Sequence, residues 1–359
     1  MATEGEGKDA PRGQGKRQEL ARLCHRAGLL PLLKGVRKLA RAEVRVLAYH
    51  RVLAIGDGAD FEFDPALVSA SPERFREQMA MVRRRFSPIS CADLIAALDE
   101  GREIPRDAVI VTFDDGYDDN YRIAFPILRE LGMAATFFVS TGHTETGKPY
   151  AYDWLVYMIC TTSADAISIP ELRIDRRLPA SLVERRSIAE SVLEAVKRAD
   201  DATQRTVIAR LEHDWNLPRA PHADCRPMTW QQIVEMQDAG MEIGSHGVHH
   251  RMLAKLGDEE LDYELRASKA ALDSHLSRPA EIISYPVGGA DAYDARVMDA
   301  TARAGYSAAC SYVGGTNASG EMSRYELNRL AVEREMDKAW FAAMVAVPEI
   351  FGYPSGPER

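Results

Sequence analysis

Ala108-Val109-Ile110-Val111-Thr112-Phe113-Asp114-Asp115-Gly116 is a short apolar, β-branched run that stops abruptly in two acids and a glycine. A run of this length reads as a buried strand, and the glycine as the turn that leaves it. In a parallel α/β protein the C-terminal ends of the strands face the active site. Adjacent residues at such an end point in different directions, so Asp114 and Asp115 can do different jobs, and like charges this close shift each other's pKa. Taken alone, the motif is also what an ordinary solvated turn looks like.

Similar short runs recur at Val44–His50, Ala134–Ser140, Glu242–Ser245, Ile282–Pro286, Ser307–Ser311 and Glu326–Val332. Between them, helical spacing is expected over Pro72–Arg84, Asn120–Leu131, Thr229–Ala239, Asp258–Leu276 and Ala292–Ala304, with Gly132, Gly240 and Gly305 placed where helices should stop. Strands alternating with helices imply a parallel sheet. Seven candidate strands make a closed or nearly closed (β/α) barrel the leading topology over residues 43–350, with an open doubly wound sheet as the alternative. Residues 142–228 separate two strands by far more than a loop needs. They carry their own helical runs, Ser181–Val196 and Asp201–Trp215, and the aromatics Tyr150, Tyr152, Trp154 and Tyr157. This stretch is expected to be a helical insertion, either a lid or a structural brace.

The 359-residue chain is 46% hydrophobic and 28% charged, which suits a globular protein with a sizeable core. Its formal net charge of -9 argues against nucleic acid as a partner. Five scattered cysteines with no Cys-x-x-Cys pair suggest neither a disulfide framework nor a thiolate metal site, and fit a reducing, cytoplasmic compartment. Residues 1 to about 16 are Gly- and charge-rich, without the apolar core of a secretory signal, and read as a disordered tail. Gln18–Ala42 has helical spacing, with leucines on one stripe and Arg22, Arg26, Lys34, Arg37, Lys38 and Arg41 against Glu19. Such a helix, kinked at Pro31, either docks its apolar face on the barrel or makes a peripheral contact with an anionic membrane.

A second chemical signal is Gly244-Ser245-His246-Gly247-Val248-His249-His250, which holds three of the nine histidines. On a helical turn His246 and His250, four apart, would share a face and reach one ion. With Asp115 they give one carboxylate and two imidazoles, a set that leaves coordination positions open for chemistry. Non-haem iron oxygenases use the same set, but there Asp114 would have no evident purpose.

Together with Tyr49-His50-Arg51-Val52, Asp119-Asn120 and Ala135-Thr136-Phe137-Phe138-Val139, these motifs resemble the polysaccharide deacetylase family, also called the NodB homology domain or carbohydrate esterase family four. The resemblance runs from about Val44 to Val332, apart from the insertion. It implies a deformed (β/α) barrel with Asp114 as general base, and one divalent ion, zinc or similar, on Asp115, His246 and His250. The implied reaction is metal-dependent removal of an N-acetyl group from a sugar or glycan with release of acetate. Two rivals are an N-deformylase of a lipid-linked amino sugar and a degenerate module that only binds glycan.

Two motifs depart from the family pattern. Ile283-Ser284-Tyr285-Pro286-Val287-Gly288-Gly289 has Ser284 where an arginine usually orients the base. Tyr285, Pro286 and Val287 are nonetheless expected at the substrate, the Val287 N–H as an oxyanion donor. Leu327-Asn328-Arg329 has an arginine where a histidine usually supplies the acid, and arginine gives up no proton at neutral pH. His50, closing the first strand, is the candidate to fill that gap as acid or as orienter of Asp114. In the insertion, Asp153 is expected to meet a sugar hydroxyl and Trp154 to cover the substrate. The departures resemble the branch of the family associated with exopolysaccharide and cell-surface glycan synthesis.

Overall fold

The computed structural model describes residues 12–56 and 58–353. Seven strands, β1 (Glu43–Tyr49), β2 (Asp107–Phe113), β3 (Thr136–Val139), β4 (Glu242–Ser245), β5 (Ile282–Ser284), β6 (Ala308–Gly314) and β7 (Leu327–Ala331), form the barrel. Their lateral order is β1-β7-β6-β5-β4-β3-β2, and β2 pairs back onto β1, so the sheet closes. Every one of these seven pairings is parallel. The open-sheet alternative is therefore set aside. The pairing of β1 with β2 runs in register from Glu43 opposite Asp107 to Tyr49 opposite Phe113, which brings His50 level with Asp114.

Because side chains alternate along a strand, each strand sends one set inward and the other outward. Val44, Val46, Ala108, Ile110, Phe138, Ile282, Ala308, Cys310 and Leu327 form one cluster inside the barrel. Leu47, Tyr49, Val109, Val111, Phe113, Phe137 and Val139 face the other way, against the surrounding helices. Extending the inward set by two-residue steps reaches His50, Asp114, His246, Ser284, Tyr312 and Arg329. The geometry of a closed parallel sheet thus gathers six polar and aromatic side chains at one mouth. At the other end the helix Cys91–Glu100 closes the barrel, its first N–H groups donating to the Glu242 carboxylate at 2.8 Å. That helix carries a capping box between Ser90 and Asp93, the sequence signal that marks its start.

The helices expected from periodicity appear at Pro72–Arg85, Phe125–Leu131, Trp230–Asp238, Asp258–His275 and Ala295–Arg303. Lys338–Ala346 is helical without having been expected, because it is buried on all sides and shows no polar stripe. Of the expected N-terminal tail, residues 1–11 lie outside the described residues, and Arg12–Lys16 open a helix that runs to Arg26. The chain then breaks at Gly28 (φ 66°) and restarts as Leu29–Ala40. Pro31 does not kink this helix, since it sits in the first turn, where N–H groups have no intrahelical acceptor. The face turned to the barrel is small, with Ala21 and Leu30 buried, and the larger apolar stripe points outward.

The 142–228 segment builds its own core from the helices Ala151–Thr161, Leu182–Arg198 and Asp201–Asp214. An antiparallel hairpin, Ala166–Ile169 with Ile174–Arg177, adds to it and was not foreseen. Trp154 belongs to this core: it is buried, stacks on Tyr157 at 4.5 Å and donates from Nε1 to the Leu217 carbonyl at 2.9 Å. The expectation that it covers substrate is corrected to a bracing role. Trp154→Ala is expected to lower stability by about 3 kcal/mol through the cavity it leaves, read as a lower urea midpoint. An unchanged midpoint would contradict the assignment.

Candidate metal centre and active site

Asp114 and Asp115 follow β2 directly and diverge because the backbone turns between them. Asp115 has φ 70° and Gly116 φ 63°, a left-handed pair that aspartate and glycine tolerate best. A Cβ on Gly116 would lie 2.6 Å from Val139 Cγ1, so glycine is required on steric grounds as well. The Tyr150 hydroxyl, from the insertion, donates to the Asp115 carbonyl and holds the turn from above.

Asp115 Oδ1 lies 3.3 Å from His246 Nε2 and 3.2 Å from His250 Nε2. His246 Nδ1 is 2.7 Å from the Ser284 carbonyl, which has no proton to give, so Nδ1 is the donor. A neutral His246 ring therefore turns a lone pair, not a proton, toward Asp115. Asp115 Oδ1 is buried and lacks a hydrogen-bond partner. Ligands about 2.1 Å from a tetrahedral ion are spaced about 3.4 Å apart, close to what is found here. Lone pairs converging in a buried spot fit a cation, and Asp115, His246 and His250 form a candidate metal site.

The reason for the His246–His250 approach differs from the expected one. The segment is a bend rather than a helical turn. The Glu264 carboxylate accepts from the backbone N–H of Val248 (2.6 Å) and His249 (2.9 Å), and His250 takes φ 55°. The bend returns the chain so that His250 meets the cleft, while His249 turns toward Tyr263 at 6.3 Å.

Asp114 is 2% exposed and paired with Arg329 in fork geometry: Nη1 to Oδ1 at 2.7 Å and Nη2 to Oδ2 at 2.6 Å. Ser284 Oγ accepts from Arg329 Nη2 at 2.9 Å and lies 3.3 Å from Asp114 Oδ2. Burial disfavours the charged carboxylate, but the charge and hydrogen bonds of Arg329 outweigh it and hold the Asp114 pKa below the usual value. The arginine missing from the position of Ser284 is thus supplied from β7. Sequence reasoning overlooked this role for Arg329, although inward alternation from Leu327 places an arginine inside the barrel, where it needs an acid.

A cleft of about 490 Å³ opens over the carboxylates and histidines. His50, Asp114, Asp115, His246 and His250 all line it, as do Val287 and Asp153. Val287 has φ 66°, a strained value for a β-branched residue, and Gly288 follows with φ 62° under Tyr312. Asp153 accepts from the Tyr117 hydroxyl at 2.8 Å and from Cys225 Sγ at 3.1 Å, and burial, then the charge of Asp115, pushes it up to about 6. His50 packs its ring 5.4 Å from Tyr312, and its backbone is held by Ser69 and Asn120. Tyr285 and Pro286 are buried and do not line the cleft. The Tyr285 hydroxyl donates to the Tyr325 carbonyl at 3.0 Å, so its expected place at the substrate is corrected to a packing role. Trp154 is likewise away from the cleft. Glu333, just beyond β7, lines the cleft and was not anticipated. Burial, then the charges of Glu335 and Asp64, pushes its carboxyl up to about 8.

Residues 101–309 match the family model described as Polysaccharide deacetylase. The chain is 24% identical over 248 residues to YxkH of Bacillus subtilis (strain 168), which carries a provisional polysaccharide deacetylase name; the match covers 69% of this chain and 60% of that one. A 75-residue stretch is 39% identical to the poly-beta-1,6-N-acetyl-D-glucosamine N-deacetylase of Escherichia coli (strain K12), covering 21% of this chain and 11% of that one. The match thus covers less than two thirds of the length of either relative. Among solved structures, Streptococcus pyogenes deacetylase PplD in complex with acetate shares the fold with TM-score 0.57 and 19% identity, over 88% of this chain and all of that one.

Two outcomes follow from the geometry. His246→Ala and His250→Ala are each expected to lose bound divalent metal by elemental analysis, while the wild type holds about one ion; unchanged content in both would remove the site. Arg329→Met leaves a buried carboxylate unpaired and is expected to cost about 3–5 kcal/mol at neutral pH. Since the folded-state pKa of Asp114 is depressed, this difference should persist above about pH 4, the unfolded value, and shrink as pH falls further. Urea unfolding of both proteins at pH 7 and pH 3 checks the sign.

Proposed function

The chain belongs to the polysaccharide deacetylase family, and on that premise we propose that it hydrolyses the N-acetyl amide of an amino sugar or glycan and releases acetate. The observation that carries this reading is the pairing of a three-donor metal site with a separately anchored carboxylate in one cleft. Two imidazoles and one carboxylate suit zinc, and such an ion when bound supplies Lewis acidity to the acyl oxygen and acidifies water. The remaining steps fall to this chain's own residues. Asp114 stays ionised because of Arg329, so it is a weak base that takes a proton only from water whose own pKa is lowered. Arg329 and Ser284 fix its rotamer. As the water oxygen bonds to the acyl carbon, the Val287 N–H is proposed to donate to the developing oxyanion. The C–N bond then breaks and the amine takes up a proton.

Arg329 cannot give that proton, and two residues lining the cleft are the candidates we weigh for it. His50, level with Asp114, is one. Glu333 is the other, protonated below about pH 8. Asp153, from the insertion, is proposed to meet a sugar hydroxyl at the opposite wall. The E. coli relative's name points to a poly-N-acetylglucosamine-like exopolysaccharide as the substrate class to try first. The N-deformylase reading differs only in the acyl group released.

Metal-loaded protein with N-acetylglucosamine oligomers should release acetate and not formate; formate alone from N-formyl sugars would favour the rival. Asp114→Asn is expected to keep metal, to fold with lower stability because Arg329 loses its buried partner, and to lose at least about 10²-fold in turnover, the low end for a general base. Near wild-type acetate release would remove Asp114 from the role. The acid is identified by pH–rate profiles of His50→Gln and Glu333→Gln. If Glu333 is the donor, the wild-type rate falls as pH rises through about 8 and Glu333→Gln loses that limb; if His50 is the donor, the alkaline limb is lost in His50→Gln and kept in Glu333→Gln.

A further inference from the structure

The two N-terminal helices, Arg12–Arg26 and Leu29–Ala40, present an apolar surface that the fold does not use. Among the described residues, ten large apolar side chains are exposed, and seven of them (Leu20, Leu23, Leu29, Leu32, Leu33, Val36, Leu39) lie on these helices. On the second helix Leu29, Leu32, Leu33, Val36 and Leu39 fall on one stripe at helical spacing, and Leu32 and Leu39 are 65% and 82% exposed. The opposite side is the one held to the barrel: Leu30 is buried, Arg37 bonds Glu43 at 2.6 Å, and Lys34 and Lys38 reach Asp107. The helices are thus fastened by a narrow, largely ionic face, with the hydrophobic face outward.

Basic residues rim that face. Residues 12–41 carry nine Lys and Arg against one Glu, in a chain whose net charge is -9. Lys16 and Arg26 are exposed on the helices, as are Arg22, paired with Asp337, and Arg41, paired with Glu349. Arg83, Arg84 and Arg85 are exposed at the end of the neighbouring helix, whose Arg85 carbonyl accepts from Lys34. An apolar stripe bordered by cations matches the surface of an anionic bilayer, acyl chains under negatively charged headgroups.

We propose that the N-terminal helices dock this protein on an anionic lipid surface, with the leucine stripe entering the headgroup–acyl boundary. A second copy fits less well, since a two-fold contact sets the same basic rim against itself. The second helix lies where β1 and β2 begin, near Glu43 and Asp107, whereas the cleft lies where they end. Seven residues of strand separate the two, on the order of 20 Å, so the docked protein keeps its cleft clear of the headgroups and open to glycan in solution. The proposal is independent of the reaction assigned to the cleft.

The test is flotation of the full chain with vesicles of phosphatidylcholine alone and with about one third phosphatidylglycerol. The wild type should float with the anionic vesicles, less as salt rises, and little with the neutral ones. Leu32→Glu with Leu39→Glu alters two exposed positions and should lower partitioning at least about tenfold while leaving metal content and urea midpoint unchanged. Arg26→Gln with Arg84→Gln should weaken it by a smaller factor. Absence of flotation overturns the proposal, as does flotation that the Leu variant leaves intact. A dimer in light scattering that the Leu variant abolishes, with no vesicle binding, would assign the face to a second copy instead.

Discussion

Arg329 and Asp114 form the ion pair on which the rest of the site depends. The carboxylate sits inside a closed barrel, where an unpaired charge costs several kcal/mol. All five guanidinium N–H groups are engaged: Nε with the Ser311 carbonyl, Nη1 with Thr112 Oγ1 and Asp114, and Nη2 with Asp114 and Ser284 Oγ. One side chain from β7 therefore ties β6, β2 and β5 at the level of the cleft. With Asp114 fixed in this way, Asp115 is left to turn toward His246 and His250. On the proposed hydrolysis the same commitment has a chemical consequence: Arg329 gives up no proton, so the acid would have to be another residue of the cleft.

Strain accumulates around this anchor. Among the described residues five non-glycine positions have positive φ, and three of them, Asp115, His250 and Val287, line the cleft. Conformations of this kind cost about 1–3 kcal/mol each and persist only where the surroundings over-determine them. Here the surroundings are identifiable: Tyr150 on the Asp115 carbonyl, Glu264 under the Val248–His249 amides, and Tyr312 against Gly288. A stiff parallel barrel carries such distortions at its rim, and they bring two of the candidate metal donors, Asp115 and His250, together with Val287 to one cleft.

The additions to the barrel are fastened differently from one another. The insertion has its own apolar core and lends Tyr150, Tyr152 and Asp153 to the cleft wall, so its packing and the site are coupled. The N-terminal helices are fastened largely by ion pairs at the opposite end and leave their apolar stripe outside. One addition forms part of the cleft wall; the other lies at the far end of the barrel.

The alternation of strands and helices, the seven strand positions and the acids and histidines at strand ends were legible in the sequence, because each rests on a period or a turn signal local to the chain. Local signals fail where burial is complete or where closure decides. Lys338–Ala346 shows no amphipathic stripe because every side of it is buried, and Trp154 and Tyr285 are indistinguishable in sequence from ligand-facing aromatics. His246 and His250 were rightly joined for the wrong reason, since Glu264 makes the bend that a helical turn was expected to make. What tertiary structure alone decided is partnership across the barrel. That Arg329 replaces the arginine absent at Ser284, and that Glu333 shares the cleft with His50, depends on β7 closing the sheet between β1 and β6, a contact between residues more than two hundred positions apart that no local period encodes.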